Sequence, residues 1–261
     1  MTTNLLEHRY GENVTVFDFL HLNTLLTELS SKDTFQPQIN RIVRRLYSSL
    51  FSLILDRENG DRDITVDTRM ATITPKGTLQ TKVLDDQARW VIVDLARAGM
   101  IPSEVCFDEA NEVLDPTRSR IDHVFINRKV DENEQVVGTD VSGNKIGGDV
   151  EDALLLFPDP MGATGSSIAD AIGIYRDQVE GTPRKVICVH LIITPEYLRR
   201  ITTDFPDVAV YALRVDRGLS EEEVLATIPG ERWDEEKGLN ERHYIVPGAG
   251  GLGEIINNSF V

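Results

Sequence analysis

The sequence has few of the residues that build disulfides or metal sites. Its 261 residues include two cysteines, Cys106 and Cys188, which are far apart and form no CxxC pair. Thiols in this arrangement are most often reduced core residues. The five histidines are scattered, and neither HExxH nor HxxxH occurs, so no histidine-built metal site is expected.

Long apolar runs are also missing. No stretch approaches the roughly 18 consecutive apolar residues of a membrane span, and residues 1–10 contain no signal-peptide-like segment. We therefore expect no membrane partner and a cytoplasmic location. Hydrophobic residues make up 41% and charged residues 27%, which indicates a globular chain with a sizeable core.

Positive charge is scarce. The chain has 27 lysines and arginines against 43 aspartates and glutamates, which gives a formal net charge of −16. A surface of this sign repels phosphate backbones, so no nucleic acid partner is expected. A small anionic ligand stays compatible, because it needs only a local cluster of backbone N–H groups and one or two arginines.

The first sixty residues predict a helical arm. A short leucine stripe with helical spacing comes first: Leu22, Leu25, Leu26 and Leu29. A longer apolar stripe with three- and four-residue steps runs from Ile39 to Ile54. We expect Asp33 or Thr34 to cap this second helix, Pro37 to lie in its first turn and Asn59-Gly60 to end it.

The next segment, Asp63–Met70, alternates between apolar and polar residues and predicts a strand of a small antiparallel hood. We divide the chain into an N-terminal arm and helix, residues 1–60, and a core with hood elements, residues 61–261. Together they are expected to form a single domain overall.

From about residue 90, short apolar runs alternate with helical patterns. The runs are Trp90–Val93, Val124–Ile126, Ala153–Phe157, Val186–Ile192 and Val208–Leu213. They lack polar alternation, as strands buried on both faces do. The alternation of strands and helices predicts an α/β fold with a parallel sheet and helices on both of its faces.

Four further patterns concern loops and helix starts. Residues 131–149 are polar, rich in glycine and without periodicity, so we expect a long functional or disordered loop. Residues 228–237 predict a second, acidic surface loop. Thr194-Pro195-Glu196 is typical of a helix start, and Ser220–Glu223 has the form of a capping box.

One segment has the pattern of a monophosphate site. A buried strand ends at Asp159, a turn rich in glycine and hydroxyl residues follows, and a helix begins at Ser166 or Ser167. Ligands of parallel sheets bind beyond the carboxyl ends of the strands, where this turn offers unpaired N–H groups and the positive end of a helix. The segment lacks the lysine of a Walker A loop and the glycine spacing of a dinucleotide fingerprint. From the pattern alone, an ordinary strand-to-helix turn stays open as the alternative.

Three segments resemble the uracil phosphoribosyltransferase family. Asp159-Pro160-Met161-x-Ala163-Thr164-Gly165-x-Ser167 is similar to the family's DPMLATGGS motif. Residues Gly238–Gly248 resemble GLNxxxYIVPG, and Leu95–Met100 resembles LRAGL. The order and the intervals agree over roughly residues 20 to 254.

The resemblance implies a phosphoribosyltransferase fold and an enzyme of pyrimidine salvage. Its expected reaction transfers ribose 5-phosphate from phosphoribosyl pyrophosphate (PRPP) to uracil and gives UMP and pyrophosphate. The expected cofactor is Mg²⁺, which arrives bound with PRPP rather than in a protein metal site. Relatives of this kind suggest a homodimer or a higher homo-oligomer.

The motifs also imply roles for individual residues. The 5′-phosphate is expected on Ala163, Thr164, Gly165, Ser166 and Ser167. As candidate catalytic residues, Asp159 would bind the ribose hydroxyls and Arg97 the diphosphate, which suits the fork of donors on a guanidinium. Arg128 could reach the same diphosphate, or it is a solvated surface arginine. The uracil pocket is expected at Tyr244, Ile245, Gly250 and Leu252.

The chain departs from the family at the end of the base pocket. The family has PGLGDAGD where this chain has PGAGGLGE, so Gly251 replaces the first acid and Glu254 replaces the second. A glycine cannot order a metal–diphosphate. Either Glu254 or another acid substitutes, or catalysis is weakened, or the protein is a non-catalytic PRPP- or nucleotide-binding relative with a regulatory role.

Smaller departures lie elsewhere. Gly162 replaces a leucine and Ser166 a glycine of the family's phosphate loop. Roughly twenty extra residues lie between Asp216 and Gly238. A phosphoribosyltransferase for another base is a third hypothesis.

Overall fold

A computed structural model of the chain describes residues 4–130 and 136–259, without the side chains of residues 127–130 and 136–139. The strands are β1 (Val14–Val16), β2 (Asp61–Asp67), β3 (Thr78–Leu84), β4 (Arg89–Ala96), β5 (Ser119–Val130), β6 (Val136–Lys145), β7 (Ala153–Pro158), β8 (Met161–Gly162), β9 (Lys185–Ile193) and β10 (Ala209–Val215). The helices are α1 (Leu20–Ser30), α2 (Gln38–Glu58), α3 (Met100–Val113), α4 (Ser166–Gln178), α5 (Pro195–Asp204), α6 (Glu222–Leu225) and α7 (Leu252–Ile255).

Within the described ranges, eight strands form the main sheet. Their order is β1-β10-β9-β7-β4-β5-β6, and β8 lies beside β9. The pairings are parallel except for that of β5 with β6. β2 and β3 form a separate antiparallel pair. The predicted α/β fold, with a mostly parallel sheet and a small antiparallel hood, is confirmed.

Helices cover both faces of the main sheet, because the strands are apolar on both sides. Trp90 and Ile92 of β4 belong to the core that includes α1, α2 and α3. Val91 and Val93 point the other way, into the core that includes α4 and α5. Every position of β7 is buried. Among the described residues, none of the helices combines the length and the apolar character that a membrane span requires.

The N-terminal segment joins this core at two places. Val14–Val16 pairs in parallel with β10, a strand that no sequence pattern indicated. The leucine stripe of α1 is buried at Leu22, Leu26 and Leu29. α2 ends at Glu58, directly before Asn59-Gly60, as predicted.

The predicted start of α2 is wrong. The helix begins at Gln38, its N-cap residue is Pro37, and no side chain caps it. Pro37 therefore precedes the first turn rather than lying in it. Thr34 is engaged elsewhere, since its Oγ1 donates to the main-chain oxygen of Glu28 at 2.6 Å. This hydrogen bond ties the connecting loop to the end of α1.

The long loop predicted over residues 131–149 is wrong for residues 136–145, which form β6. β6 pairs with β5 in antiparallel register, with Arg128 opposite Thr139 and His123 opposite Lys145. It is the last strand of the sheet, and residues 140–145 are largely exposed. Such an edge strand needs no apolar face, so the sequence has no apolar periodicity there. Residues 131–135 of the predicted loop lie outside the described residues.

Two predictions on the extra segment between Asp216 and Gly238 also need correction. Ser220 does not cap a helix, because α6 begins at Glu222 after Glu221, and Ser220 Oγ instead accepts from the Lys237 N–H at 2.8 Å. Residues 228–237 are not simply a surface loop either. Glu236 is buried and accepts hydrogen bonds from Tyr10 and, at 2.7 Å, from Arg217.

Candidate active site

The topology brings the sequence motifs to one end of the sheet. β4 and β7 are parallel neighbours, so Arg97 after β4 and Asp159 after β7 follow strands at the same edge. Together with residues 242–245 and 250–254 they line one cavity of about 680 Å³. The predicted site residues that line it are Arg97, Asp159, Ala163, Thr164, Gly165, Ser166, Ser167, Tyr244, Ile245, Gly250, Leu252 and Glu254. Arg128 lies in β5, and its side chain is outside the described part of the chain.

The turn between β7 and α4 holds hydroxyl groups at the start of a helix. Gly165 is the N-cap residue of α4 with φ +78°, a left-handed conformation that glycine adopts without strain. Thr164 Oγ1 lies 3.1 Å from Ser166 Oγ. The first N–H groups of α4 have no partner within the helix, and its dipole places partial positive charge there. The turn is therefore built to receive an anion.

Gly162 has a packing reason for its departure from the family motif. A Cβ at this position would lie 2.8 Å from Ile193 Cγ2 and 3.1 Å from the ring of Tyr197. A larger residue would push the loop away from β9 and α5. The aromatic ring of Tyr197 therefore occupies space that a leucine at position 162 would need.

Asp159 is held by main-chain contacts. Its N–H donates to the Val189 oxygen at 3.0 Å, and its Oδ1 accepts from the Met161 N–H at 3.0 Å. Its main-chain oxygen lies 2.6 Å from Nδ1 of the buried His190. These contacts fix the backbone from which the carboxylate projects toward the cavity.

His190 connects Asp159 to α5. Its Nε2 lies 2.6 Å from the Tyr197 hydroxyl. Burial lowers the pKa of His190 from 6.5 to about 4, so the ring is neutral near pH 7. A carbonyl oxygen only accepts, so Nδ1 carries the proton and donates to Asp159, and Nε2 accepts from Tyr197. No sequence pattern indicated a role for His190, because its contacts are formed only by the fold.

Arg97 is exposed at the rim of the cavity, after a cis peptide bond with Ala96. Its Nη1 donates to Ser259 Oγ at 2.7 Å. The C-terminal segment therefore contacts the guanidinium that was predicted to bind diphosphate. Nothing in the sequence pattern indicated this contact.

The predicted base pocket is anchored from beneath by an ion pair of which Asp216 is buried and Arg214 partly exposed. Asp216 accepts from Arg214 Nε at 2.6 Å and from the Gly248 N–H at 2.8 Å. Arg214 Nη2 donates to the Gly248 oxygen at 3.0 Å. Both main-chain groups of Gly248 are thus satisfied, which fixes the turn between Ile245 and Gly250.

Gly251 has an ordinary backbone conformation, with φ −79° and ψ 78°. Other residues can adopt it without a left-handed strain. The space beside it is filled, since a Cβ at position 251 would overlap Oε2 of Glu254. The Glu254 side chain therefore brings a carboxylate to the place where the family has its first acid.

The cavity lining also includes residues that were not predicted as site residues, among them Phe125, Ser142, Arg242 and His243. Arg242 and His243 precede Tyr244 in the C-terminal motif, and that position was the available signal. His243 Nδ1 is buried without a hydrogen-bond partner among the described residues. Phe125 lies in β5 and Ser142 in β6. Because β6 was not predicted as a strand, Ser142 could not be placed at the site from the sequence.

Comparisons with known proteins concern the family and the fold. The family model described as uracil phosphoribosyltransferase matches residues 16–231. The chain is 28% identical over 248 residues to a uracil phosphoribosyltransferase of Campylobacter curvus (strain 525.92), covering 95% of this chain and 99% of that protein. A uracil phosphoribosyltransferase of Caldanaerobacter subterraneus subsp. tengcongensis is 25% identical over 243 residues, or 93% of this chain and 96% of the relative.

One solved structure supports the fold. The AQ2163 protein from Aquifex aeolicus superposes with a TM-score of 0.68 at 20% sequence identity, covering 93% of this chain and 97% of that one. At this identity the likeness concerns the fold alone.

Proposed function

The chain belongs to the uracil phosphoribosyltransferase family, and we propose that it transfers ribose 5-phosphate from PRPP to uracil, giving UMP and pyrophosphate. The observation that supports this proposal most is the convergence of three motifs on one cavity. Its volume of about 680 Å³ is typical of small-molecule sites. Its walls offer an anion-binding turn, a carboxylate and an arginine.

The turn from Ala163 to Ser167 would hold the 5′-phosphate. Its N–H groups and hydroxyls supply hydrogen bonds, and the N-terminus of α4 supplies partial positive charge. Asp159, at the end of β7, would accept hydrogen bonds from the ribose hydroxyls. Together these groups would fix the sugar relative to the base pocket, which removes much of the entropic cost of the reaction.

Arg97 would hold the diphosphate. A guanidinium presents parallel N–H donors that match two phosphate oxygens, and it cannot lose its charge near neutral pH. The diphosphate would replace Ser259 as a partner of Nη1. In the reaction, the bond between ribose C1′ and the diphosphate oxygen breaks, and the electron pair leaves with the diphosphate. Uracil N1 forms the new bond to C1′ and loses its proton.

Mg²⁺ is proposed as the cofactor, bound through PRPP. No group of three or more His, Cys, Asp or Glu that could hold a metal occurs among the described residues. Mg²⁺ is commonly bound by one or two carboxylates together with substrate phosphates and water. Asp159 and Glu254 both line the cavity and are the carboxylates that would face it. When bound, the ion neutralises charge that develops on the leaving diphosphate.

A second candidate function is a weakly active or regulatory nucleotide-binding relative. The observation that favours it is Gly251, which removes the first acid of the family motif. The carboxylate of Glu254 beside Gly251 weighs against it. Incubation with uracil, PRPP and Mg²⁺, followed by chromatography for UMP and pyrophosphate, separates the two functions. Binding of both substrates without product would favour the second.

The proposed enzyme would work in the cytoplasm, as the sequence composition predicts. It would form a homodimer or a larger homo-oligomer, as the family resemblance implies. Light scattering coupled to size-exclusion chromatography measures the mass directly. A mass of about 29 kDa, the 29.2 kDa of one chain, would rule out the oligomer.

A further inference from the structure

A positively charged side chain that no motif includes lies against the anion-binding turn. Arg200 of α5 donates from Nη1 to Ser166 Oγ at 2.8 Å. A Cβ placed on Gly165 would lie 3.4 Å from Arg200 Cδ. The stem of this arginine therefore packs along the turn, and its guanidinium ends at the first residue of α4.

From these contacts we infer that Arg200 belongs to the 5′-phosphate subsite, where it orients the Ser166 hydroxyl and adds a positive charge. This inference rests on the proposed function, since it assigns a new residue to that site.

The orientation follows from the chemistry of the contact. A guanidinium has only donors, so Ser166 Oγ accepts from Arg200. The hydroxyl proton of Ser166 must then point elsewhere, toward Thr164 Oγ1 at 3.1 Å or toward a ligand in the cavity. With an anion bound in the turn, Ser166 would donate to it. Without Arg200, the Ser166 hydroxyl could either donate or accept a hydrogen bond. The contact with Arg200 fixes it as a donor toward the ligand.

The positive charge of Arg200 also matters, because the turn has no positively charged side chain of its own. Residues 160–168 contain no lysine or arginine, in a chain whose net charge is −16. Ser166 is therefore the point where a cation is brought to the turn by the packing of α5.

Asp204 is the nearby charge that could cancel this effect. Its Oδ2 lies 3.6 Å from Arg200 Nε, and both side chains are substantially exposed. Exposed pairs of this kind contribute little energy because solvent screens them. A phosphate in the turn would therefore compete successfully for the guanidinium.

The neighbouring arginine provides a matched control. Arg199 has the same charge and similar exposure, but it donates to the Trp233 oxygen at 2.6 Å and pairs with Asp234. The Arg199 side chain thus points to the extra segment between Asp216 and Gly238, and not to the anion-binding turn. The variants Arg200→Ala and Arg199→Ala change the net charge equally and differ only in where the charge is lost.

The test is calorimetric titration of both variants and the unaltered protein with UMP, ribose 5-phosphate and uridine. Arg200→Ala should lower the affinity for UMP and for ribose 5-phosphate by about tenfold, which is the contribution of one charge-assisted hydrogen bond. Uridine, which has no phosphate, should bind unchanged, and Arg199→Ala should match the unaltered protein for all three ligands. Arg200→Lys should recover part of the loss, because lysine restores the charge without the fork.

Action through Ser166 has its own test. If Arg200 orients that hydroxyl, the losses of binding free energy in Arg200→Ala and Ser166→Ala are not additive. The double variant should then lose less affinity than the product of the two single fold-losses. Additive losses would show that Arg200 acts by charge alone and would overturn the orienting role.

Other outcomes separate this inference from the proposed function. Unchanged UMP affinity in Arg200→Ala, or an equal loss for uridine, would overturn the phosphate role while leaving the proposed function intact. Binding of ribose 5-phosphate but not UMP by the unaltered protein, with loss in Arg200→Ala, would contradict uracil specificity and support the subsite. If the unaltered protein binds neither phosphorylated ligand, both are overturned.

Discussion

The Glu254 carboxylate lies directly over Gly251, in the space that a side chain at position 251 would fill. The two departures from the family motif are therefore linked in space. The longer side chain three residues on reaches back to the position that the glycine leaves open. We propose that Glu254 is the acid that would face a metal-bound diphosphate.

Replacement of Glu254 tests this assignment. Glu254→Gln should lower the affinity for PRPP in the presence of Mg²⁺ by about tenfold, because the carboxylate is partly exposed and its contribution is smaller than that of a fully buried group. Calorimetric titration with Mg²⁺–PRPP measures the change. Glu241→Gln, on an exposed residue outside the cavity lining, is the control and should bind as the unaltered protein does.

An exchange of the two positions sharpens the test. Gly251→Asp alone should not raise turnover, because its side chain would meet the Glu254 carboxylate and two like charges repel. Gly251→Asp combined with Glu254→Gln should regain much of the affinity lost in Glu254→Gln. A single Gly251→Asp variant with higher turnover would mean that Glu254 does not substitute for the missing acid.

Arg97 should distinguish ligands with and without diphosphate. Arg97→Ala is expected to weaken PRPP by at least about tenfold and UMP much less, because UMP has no diphosphate. Ser259→Ala should have the opposite effect on PRPP affinity and bind PRPP slightly more tightly, since it removes a competing partner of the guanidinium. Equal losses for PRPP and UMP in Arg97→Ala would assign a structural role to this residue.

Asp159 should act on both ligands. Asp159→Asn is expected to weaken PRPP and UMP together by roughly tenfold or more, since both contain the ribose hydroxyls and a charged acceptor is lost. Its main-chain hydrogen bonds to Val189 and His190 stay available, so the melting temperature should change little. Unaltered affinity for both ligands would remove Asp159 from the site.

His190 should make stability depend on pH. Its pKa is lowered to about 4 in the folded protein from 6.5, so the unfolded chain binds the proton more readily between these values. Stability is therefore fully present above pH 6.5 and is lost as the pH falls toward 4, by about 3 kcal/mol at most.

Urea unfolding at several pH values measures this dependence. His190→Asn, whose amide can still donate to Asp159, should show a flatter profile between pH 6.5 and 4 than the unaltered protein. His21→Asn, on the exposed side of α1, should keep the original slope. Parallel profiles for the unaltered protein and His190→Asn would contradict a neutral buried imidazole.

Sequence reasoning succeeded where a pattern is dictated by burial on both faces. The run Ala153–Phe157 could only be an interior strand, and the turn after it then had to lie at the carboxyl end of the sheet. The motifs after β4 and β7 meet because those strands are neighbours. Their convergence in one cavity follows from the parallel topology that the sequence predicted.

The rest depended on contacts between distant segments. β6 is an exposed edge strand, and its residues show no apolar period that would mark it. Arg200 meets Ser166 across 34 residues of sequence, and no local pattern relates α5 to the phosphate turn. The position of the Glu254 carboxylate over Gly251 depends on a side-chain conformation, which a motif comparison does not contain.

The proposed uracil phosphoribosyltransferase activity is tested by measuring the formation of UMP from uracil and PRPP with Mg²⁺, alongside hypoxanthine, adenine and orotate. We predict UMP and pyrophosphate in equal amounts from uracil, little product from the other bases, and a large loss of rate in Asp159→Asn. Folded protein that binds PRPP but releases no nucleotide from uracil, or that turns over another base instead, would contradict the proposed activity.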